Sequence, residues 1–133
     1  MNQESININI AEREAHLNKA NVLIRSFKIS YENGDPDGAS GSLYYACYHA
    51  VKAYFVKCGQ DIRRHQKLRT ELDSLLKKKN LDKELGINFS RLETLRNQHH
   101  YDAIKTVDGK TLEGLVKPAF DLIELMKKLC EEN

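Results

Sequence analysis

The sequence predicts an all-α fold, an antiparallel bundle of four to five helices, and three observations carry that prediction. Apolar residues recur at three- and four-residue steps over long stretches, the signature of amphipathic helices. Strand-like alternation is brief and confined to Ile6-Asn7-Ile8-Asn9-Ile10. The 133 residues include 2 Pro and 7 Gly, with 41% hydrophobic and 30% charged residues, which excludes collagen-like, low-complexity and disordered chains. Such a chain is expected to form one domain over residues 1–133 and to bury about two-thirds of its unfolded surface. Its core is expected between about residues 10 and 130.

The first helix is expected from about Ile10 to Tyr31, with Ala15, Ala20, Leu23, Ile24 and Phe27 inward. The short alternation before it reads as a frayed entry or a short extended arm. Asn33-Gly34-Asp35-Pro36-Asp37-Gly38 is the strongest turn cluster. Asp35 can cap a helix whose first position is Pro36, where a missing N–H costs nothing. Ser40 is the alternative cap, because Gly38 and Gly41 weaken that start. The second helix carries Leu43 to about Lys57 and stops at Gly59. A third, from about Arg63 to Lys79, buries Leu68, Leu72, Leu75 and Leu76, and Lys77-Lys78-Lys79 suits its dipole. The fourth starts near Asn88 or Ser90 and reaches about Ile104. After the turn Val107-Asp108-Gly109, the last begins near Thr111 with Glu113 in an imperfect capping arrangement. Its stripe runs from Leu112 through Leu115, Val116, Ala119, Leu122, Ile123 and Met126 to Leu129. Pro118 interrupts the stripe, and its ring crowds the carbonyl of Gly114, which predicts a kink or a late start.

Composition narrows the function only by exclusion. The three cysteines, Cys47, Cys58 and Cys130, are odd in number and form no CxxC, so neither a disulfide framework nor a thiolate zinc site is expected. No run approaches the roughly 18 apolar residues of a membrane span, and the N-terminus lacks a signal peptide's layout. A cytoplasmic protein with no membrane partner and no cofactor is expected. The net charge of +2 means that any nucleic-acid binding comes from a local patch.

Three segments can carry chemistry. Leu43 to Phe55 is apolar nearly all round, the pattern of a central helix, and its four tyrosines need partners for their hydroxyls. Buried aromatic stripes are more often core than site. Arg63-Arg64-His65-Gln66-Lys67-Leu68-Arg69 holds four permanent cations and no acid. It reads as a solvated face, or as a phosphate-backbone contact through Arg63, Arg64 and Lys67 that strengthens if Lys77, Lys78 and Lys79 share its side. The third is Ser90 to Asp102. On a helix Arg96 and His100 are four apart and share a face, whereas His99 lines up with Leu92, Leu95 and Ala103 as a packed or interface residue. Adjacent helical positions point about 100° apart, so His99 and His100 are poor joint ligands and no metal is expected. A neutral imidazole can take a proton near pH 7, and a guanidinium can stabilise charge developing on a phosphate. Together they can cut RNA without metal, the base activating a ribose 2′-hydroxyl that attacks the adjacent phosphate. Asn97 can orient either partner, and Tyr101 can hydrogen-bond a phosphate or base. An Arg–His pair on a helix is, by itself, more often solvated or structural.

The sequence resembles the HEPN superfamily (higher eukaryotes and prokaryotes nucleotide-binding domain), nearest to its small stand-alone prokaryotic members. Three blocks carry the resemblance. Leu43-Tyr44-Tyr45-Ala46-Cys47-Tyr48-His49-Ala50 is similar to that branch's Tyr-Tyr-Ala-x-Phe-His-Ala helix. His65, after a basic turn, resembles the histidine that opens its third helix. Leu95-Arg96-Asn97-Gln98-His99-His100-Tyr101-Asp102 resembles its later segment, an arginine before a polar residue with a tyrosine shortly after. The resemblance implies a helical bundle, usually a homodimer in which the arginine–histidine motifs of two subunits meet at one cleft. It implies a metal-independent endoribonuclease, a toxin or defence effector, with a nucleotidyltransferase antitoxin as a partner in some members. It makes Arg96 the phosphate stabiliser, Asn97 its polar neighbour, His100 the general base or acid, and Tyr101 a modification site or substrate contact. The nuclease pattern has four to six residues between its Arg and His, whereas here Asn97, Gln98 and His99 make three. That spacing points to the alternative, a catalytically inactive module binding RNA, a nucleotide or a partner. A helical adaptor whose dimer face is its purpose is a third reading.

Overall fold

Helix starts in this chain are written by side chains that satisfy otherwise orphaned backbone N–H groups. Asn2 accepts from Ser5 N at 2.8 Å and opens α1, Gln3–Glu32. Asp35 accepts from Gly38 N at 3.0 Å, with Pro36 at the first position, and opens α2, Pro36–Lys57. Asp82 accepts from Glu84 N at 3.0 Å ahead of α4, Glu84–Tyr101. Asp108 accepts from Lys110 N and from Thr111 Oγ1 and opens α5, Gly109–Glu131. Between them α3, His65–Lys78, starts behind Arg64 without a side-chain cap. The structure, a computed structural model, describes residues 2–101 and 106–132, and the side chains of residues 99–101 are not described.

The core is organised around α2. Twelve of its 22 residues are buried, among them Leu43, Tyr44, Cys47 and Val51, as expected of a helix apolar on every side. It packs against all four other helices. Asn9 Nδ2 donates to Val56 O at 2.7 Å and His16 meets His49, so partner numbers fall along α2 as they rise along α1: the two run antiparallel. Cys47 Sγ contacts Ala119 O, and Lys57 Nζ donates to Leu129 O at 2.8 Å, so α5 runs parallel to α2 and antiparallel to α1. Phe27 of α1 meets Phe120 edge-on at 5.8 Å, which fits that direction. Leu68, Leu72 and Leu76 of α3, Phe89 and Leu92 of α4, and Leu112, Leu122 and Met126 of α5 complete one apolar cluster. Asp37 on the first turn of α2 accepts from Val107 N at 2.7 Å and ties the entry of α5 to the bundle.

The all-helical expectation holds, and several boundaries move. Residues 6–10 are helical, neither frayed nor an arm, because Asn2 supplies the cap eight positions ahead of the expected start at Ile10. Ala15 is exposed, while Ala20 and Phe27 are the buried residues of α1. Asp35, not Ser40, caps α2. Ser40 is instead buried, with its hydroxyl on Asp37 O at 2.9 Å. The fourth helix begins at Glu84 and the fifth at Gly109, each behind an aspartate. Pro118 lies inside a helix assigned without a break, which excludes a late start. The expected run of α4 to Ile104, and Asp102 and Ala103 with it, lies outside the described residues. No helix among the described residues is long and apolar enough to cross a membrane.

Candidate functional site

Where α2, α3 and α4 meet, four buried or half-buried polar side chains form a chain of contacts inside an aromatic wall. Its centre is Glu93 of α4, only 8% exposed. A carboxylate at that depth requires compensating partners. It has three. Tyr44 Oη donates to Glu93 Oε2 at 2.7 Å. Arg69 Nε lies 3.1 Å from Oε1. It is near enough for an ion pair, although its buried N–H is not aligned for a hydrogen bond. His65 Nδ1 lies 3.4 Å from Oε2 and 2.5 Å from Tyr44 Oη. Burial first, then the hydrogen bond to the Glu93 carboxylate, push the Tyr44 phenol above its ordinary value, so the proton it donates stays on it.

The proton count of this chain fixes the histidine's tautomer. The Tyr44 hydroxyl has one proton, and it is directed to Glu93. Its contact with His65 Nδ1 therefore uses an oxygen lone pair, and Nδ1 is the donor. In the neutral ring, Nε2 is then the unprotonated acceptor. Tyr48 stacks on the same imidazole at 4.6 Å between centroids, and Tyr45 approaches it edge-on at 6.2 Å. The His65 ring is held through Nδ1, and its side chain is still 39% exposed.

Arg96 reaches the same wall from one turn further along α4. Its guanidinium carbon stands 4.8 Å from the Tyr45 ring centroid and 5.8 Å from that of Tyr44. This is cation–π geometry, which fixes the plane of the group while leaving its outer N–H donors for an anion. Arg96 Nη1 donates to Asn97 Oδ1 at 3.0 Å, so Asn97 orients the arginine. The backbone of α4 is helical through Tyr101, which keeps positions 96 and 100 on one face. The expected roles of His100, Tyr101 and His99 concern side chains outside the described residues.

The basic run divides. Arg63 Nε donates to Asp61 Oδ2 at 2.9 Å, and Lys67 Nζ stands 3.8 Å from Glu71. Both pairs are exposed and hold weakly in water. Arg63 and Arg64 immediately precede His65, so their backbone enters the clamped histidine's neighbourhood. Arg69, read from the sequence as one of four surface cations, is instead the half-buried partner of Glu93. Lys77-Lys78-Lys79 lie at the other end of α3, about 20 Å along its axis, and form no single patch with Arg63 and Arg64. Sequence reading gave Glu93 no role, although its place three residues before Arg96 was a usable signal.

A wider groove of about 1020 Å³ lies against the other side of α4, where Leu76, Ile87, Leu95 and Leu115 carry a rim that includes Lys83 and Arg91. Neither His65, Glu93 nor Arg96 lines it. The convergent titratable groups, not the larger cavity, mark the candidate site. Among the described residues no three His, Cys, Asp or Glu side chains are grouped to hold a metal ion.

Comparison with known proteins fits this arrangement. Residues 13–129 match the HEPN domain family. A UPF0332 protein of Archaeoglobus fulgidus is 25% identical over 122 residues, covering 92% of this chain and 98% of its own.

Proposed function

The chain belongs to the HEPN domain family, and from that membership we propose that it is a metal-independent endoribonuclease acting as a toxin or defence effector. One observation carries the reading: the Arg96 guanidinium, held over Tyr45 and Tyr44 and steadied by Asn97, on the helix face that carries position 100. A guanidinium fixed in this way suits a phosphodiester, gripping two of its oxygens and balancing charge that grows in the transition state. Asn97 keeps the grip in register, and His100 acts as general base or acid. Tyr101 contacts substrate or takes a modifying group, while Arg63, Arg64 and Lys67 attract the RNA backbone. In a homodimer, two such faces meet at one cleft. A nucleotidyltransferase antitoxin and a cytoplasmic setting belong to the same reading.

The test is digestion of single-stranded RNA by EDTA-treated protein. The expected products carry 2′,3′-cyclic phosphate and 5′-hydroxyl ends, and Arg96→Ala is expected to slow cleavage by about 10²–10³-fold, as loss of a transition-state donor does. Undiminished cleavage by Arg96→Ala removes Arg96 from the mechanism. The three-residue gap between Arg96 and His100 favours a second reading, a module that binds RNA or nucleotide without cleaving it. That reading predicts salt-sensitive RNA binding, weakened by Arg96→Ala, with no product on any RNA.

A further inference from the structure

We propose that His65 meets the RNA phosphodiester through Nε2 and accepts the proton of the attacking 2′-hydroxyl, with Tyr44 and Glu93 as the positioning residues that hold its tautomer. This rests on the ribonuclease reading above and assigns its proton acceptor. The argument is one of geometry. Glu93 accepts from Tyr44, Tyr44 accepts from His65 Nδ1, and the lone pair on Nε2 is left without a hydrogen-bond partner among the described residues, on a side chain 39% exposed. Carboxylate, relay hydroxyl and imidazole in series are the arrangement by which a base is kept in one tautomer. The phosphate grip stands beside it. Arg96 lies over Tyr45 and Tyr44, and the same two tyrosines contact His65, so guanidinium and imidazole share one aromatic floor.

The charged and titratable groups facing the imidazole are Glu93 from α4, Arg69 from its own helix behind Glu93, and Tyr44, Tyr45 and Tyr48 from α2. The hydrogen-bonding contacts among them fall on Nδ1. The step balances without a co-reactant. Nε2 takes the 2′-hydroxyl proton, the 2′ oxygen forms a bond to phosphorus, and the bond from phosphorus to the 5′ oxygen breaks. The departing 5′ oxygen takes a proton from the general acid, the part left to His100 once His65 is the base, and water carries the His65 proton back to that acid. A 2′,3′-cyclic phosphate and a 5′-hydroxyl remain.

Two measurements on the full chain test this. In EDTA, His65→Gln is expected to lower kcat by about 10²-fold or more, the usual worth of a proton-transfer group, with KM nearly unchanged. His65→Gly is expected to regain part of that rate when free imidazole is added, which loss of a merely structural ring would not allow. Cleavage by His65→Gln at the wild-type rate overturns the assignment while leaving the ribonuclease reading intact. If the wild-type protein leaves RNA whole, the ribonuclease reading falls, and nitrogen NMR of labelled histidine decides the rest. The expected spectrum shows a proton on Nδ1 of His65 and a Nε2 resonance that moves on addition of uridine 3′-monophosphate, which keeps His65 as the phosphate contact. A proton on Nε2 in the free protein, or a resonance indifferent to the nucleotide, overturns the proposal.

Discussion

Glu93 is the residue on which the site turns, and it is also the one a sequence reader passes over. A charged side chain on a helix is solvated in most proteins. Glu93 is buried because α2 and α3 converge on its face of α4, and Leu92 and Leu95 beside it are drawn into the same core. Convergence of three helices leaves no local trace in the sequence. The partner was easier to read: four tyrosines on an apolar helix imply buried hydroxyls in need of partners, and Tyr44 has found an acceptor in Glu93 and a donor in His65 Nδ1. Tyr44→Phe therefore tests the network directly. It keeps the ring that stacks on Phe89 at 5.4 Å but leaves Glu93 and the His65 Nδ1–H each short of a partner. The expected loss is about 1–3 kcal/mol of unfolding free energy, the cost of buried polar groups left unmatched. Urea denaturation at neutral pH measures it. A Tyr45→Phe control, with no hydroxyl contact to Glu93, is expected to lie near wild type.

Elements were legible where capping chemistry was local and misread where it was not. Three helices end in the same way. Gly34, Gly59 and Asn80 take left-handed backbone with φ of 69°, 79° and 54°. In each case the next residue's N–H turns back to a carbonyl five residues earlier: Asp35 to Ser30, Gln60 to Phe55 and Leu81 to Leu76. Glycine announces such an end, and Gly59 was readable for that reason. Asn80 was not, because asparagine also fills ordinary loops. The missed starts have a related cause. Asn2, Asp82 and Asp108 sit ahead of segments whose apolar periodicity begins later, so periodicity alone put the boundary too far along the chain. Pro118 was expected to disturb α5 and lies within it without ending it; the residue four positions earlier is Gly114, which has no side chain to add to the crowding. The end of α3 gives the sharpest test. Asn80→Gly is expected to leave stability unchanged or raise it by a few tenths of a kcal/mol, while Asn80→Val is expected to cost about 1–2 kcal/mol, because a branched side chain resists φ of 54°. Thermal unfolding of the two variants should separate them, and equal melting temperatures would show that this end frays in solution.

Over the whole molecule, burial is spread unevenly, and one histidine pair lies on the seam between α1 and α2. Twelve residues of α2 are buried, against two of the longer α1, Ala20 and Phe27. The N-terminal half of α1 is joined to α2 by Asn9 on Val56 and by His16 and His49, whose Nδ1 atoms are 2.9 Å apart with the rings stacked at 5.2 Å. One of these nitrogens must be bare for the contact to form, so the seam requires at least one neutral ring. Burial is the largest influence on both. With His16, Lys19 and Lys52 adding repulsion, it brings His49 down to about 4; Lys52 reinforces the lowering of His16, and Glu12 partly opposes it. The unfolded chain binds these protons near 6.5. Stability from the pair is therefore complete above pH 6.5, declines as pH falls from 6.5 towards 4, and is spent below that. Both histidines are only partly buried, so solvent screening reduces the effect to about 1 kcal/mol across that window. His16→Phe combined with His49→Phe keeps two stacked rings and removes both protons. Urea midpoints followed from pH 7 down to about 4.5 should fall more steeply for the wild-type protein than for this double variant. Hydrogen exchange should place the difference in α1, whose amides around residues 9–16 lose protection before those of α2. Parallel declines for the two proteins would assign the acid sensitivity to carboxylates elsewhere and leave the histidine pair a packing contact alone.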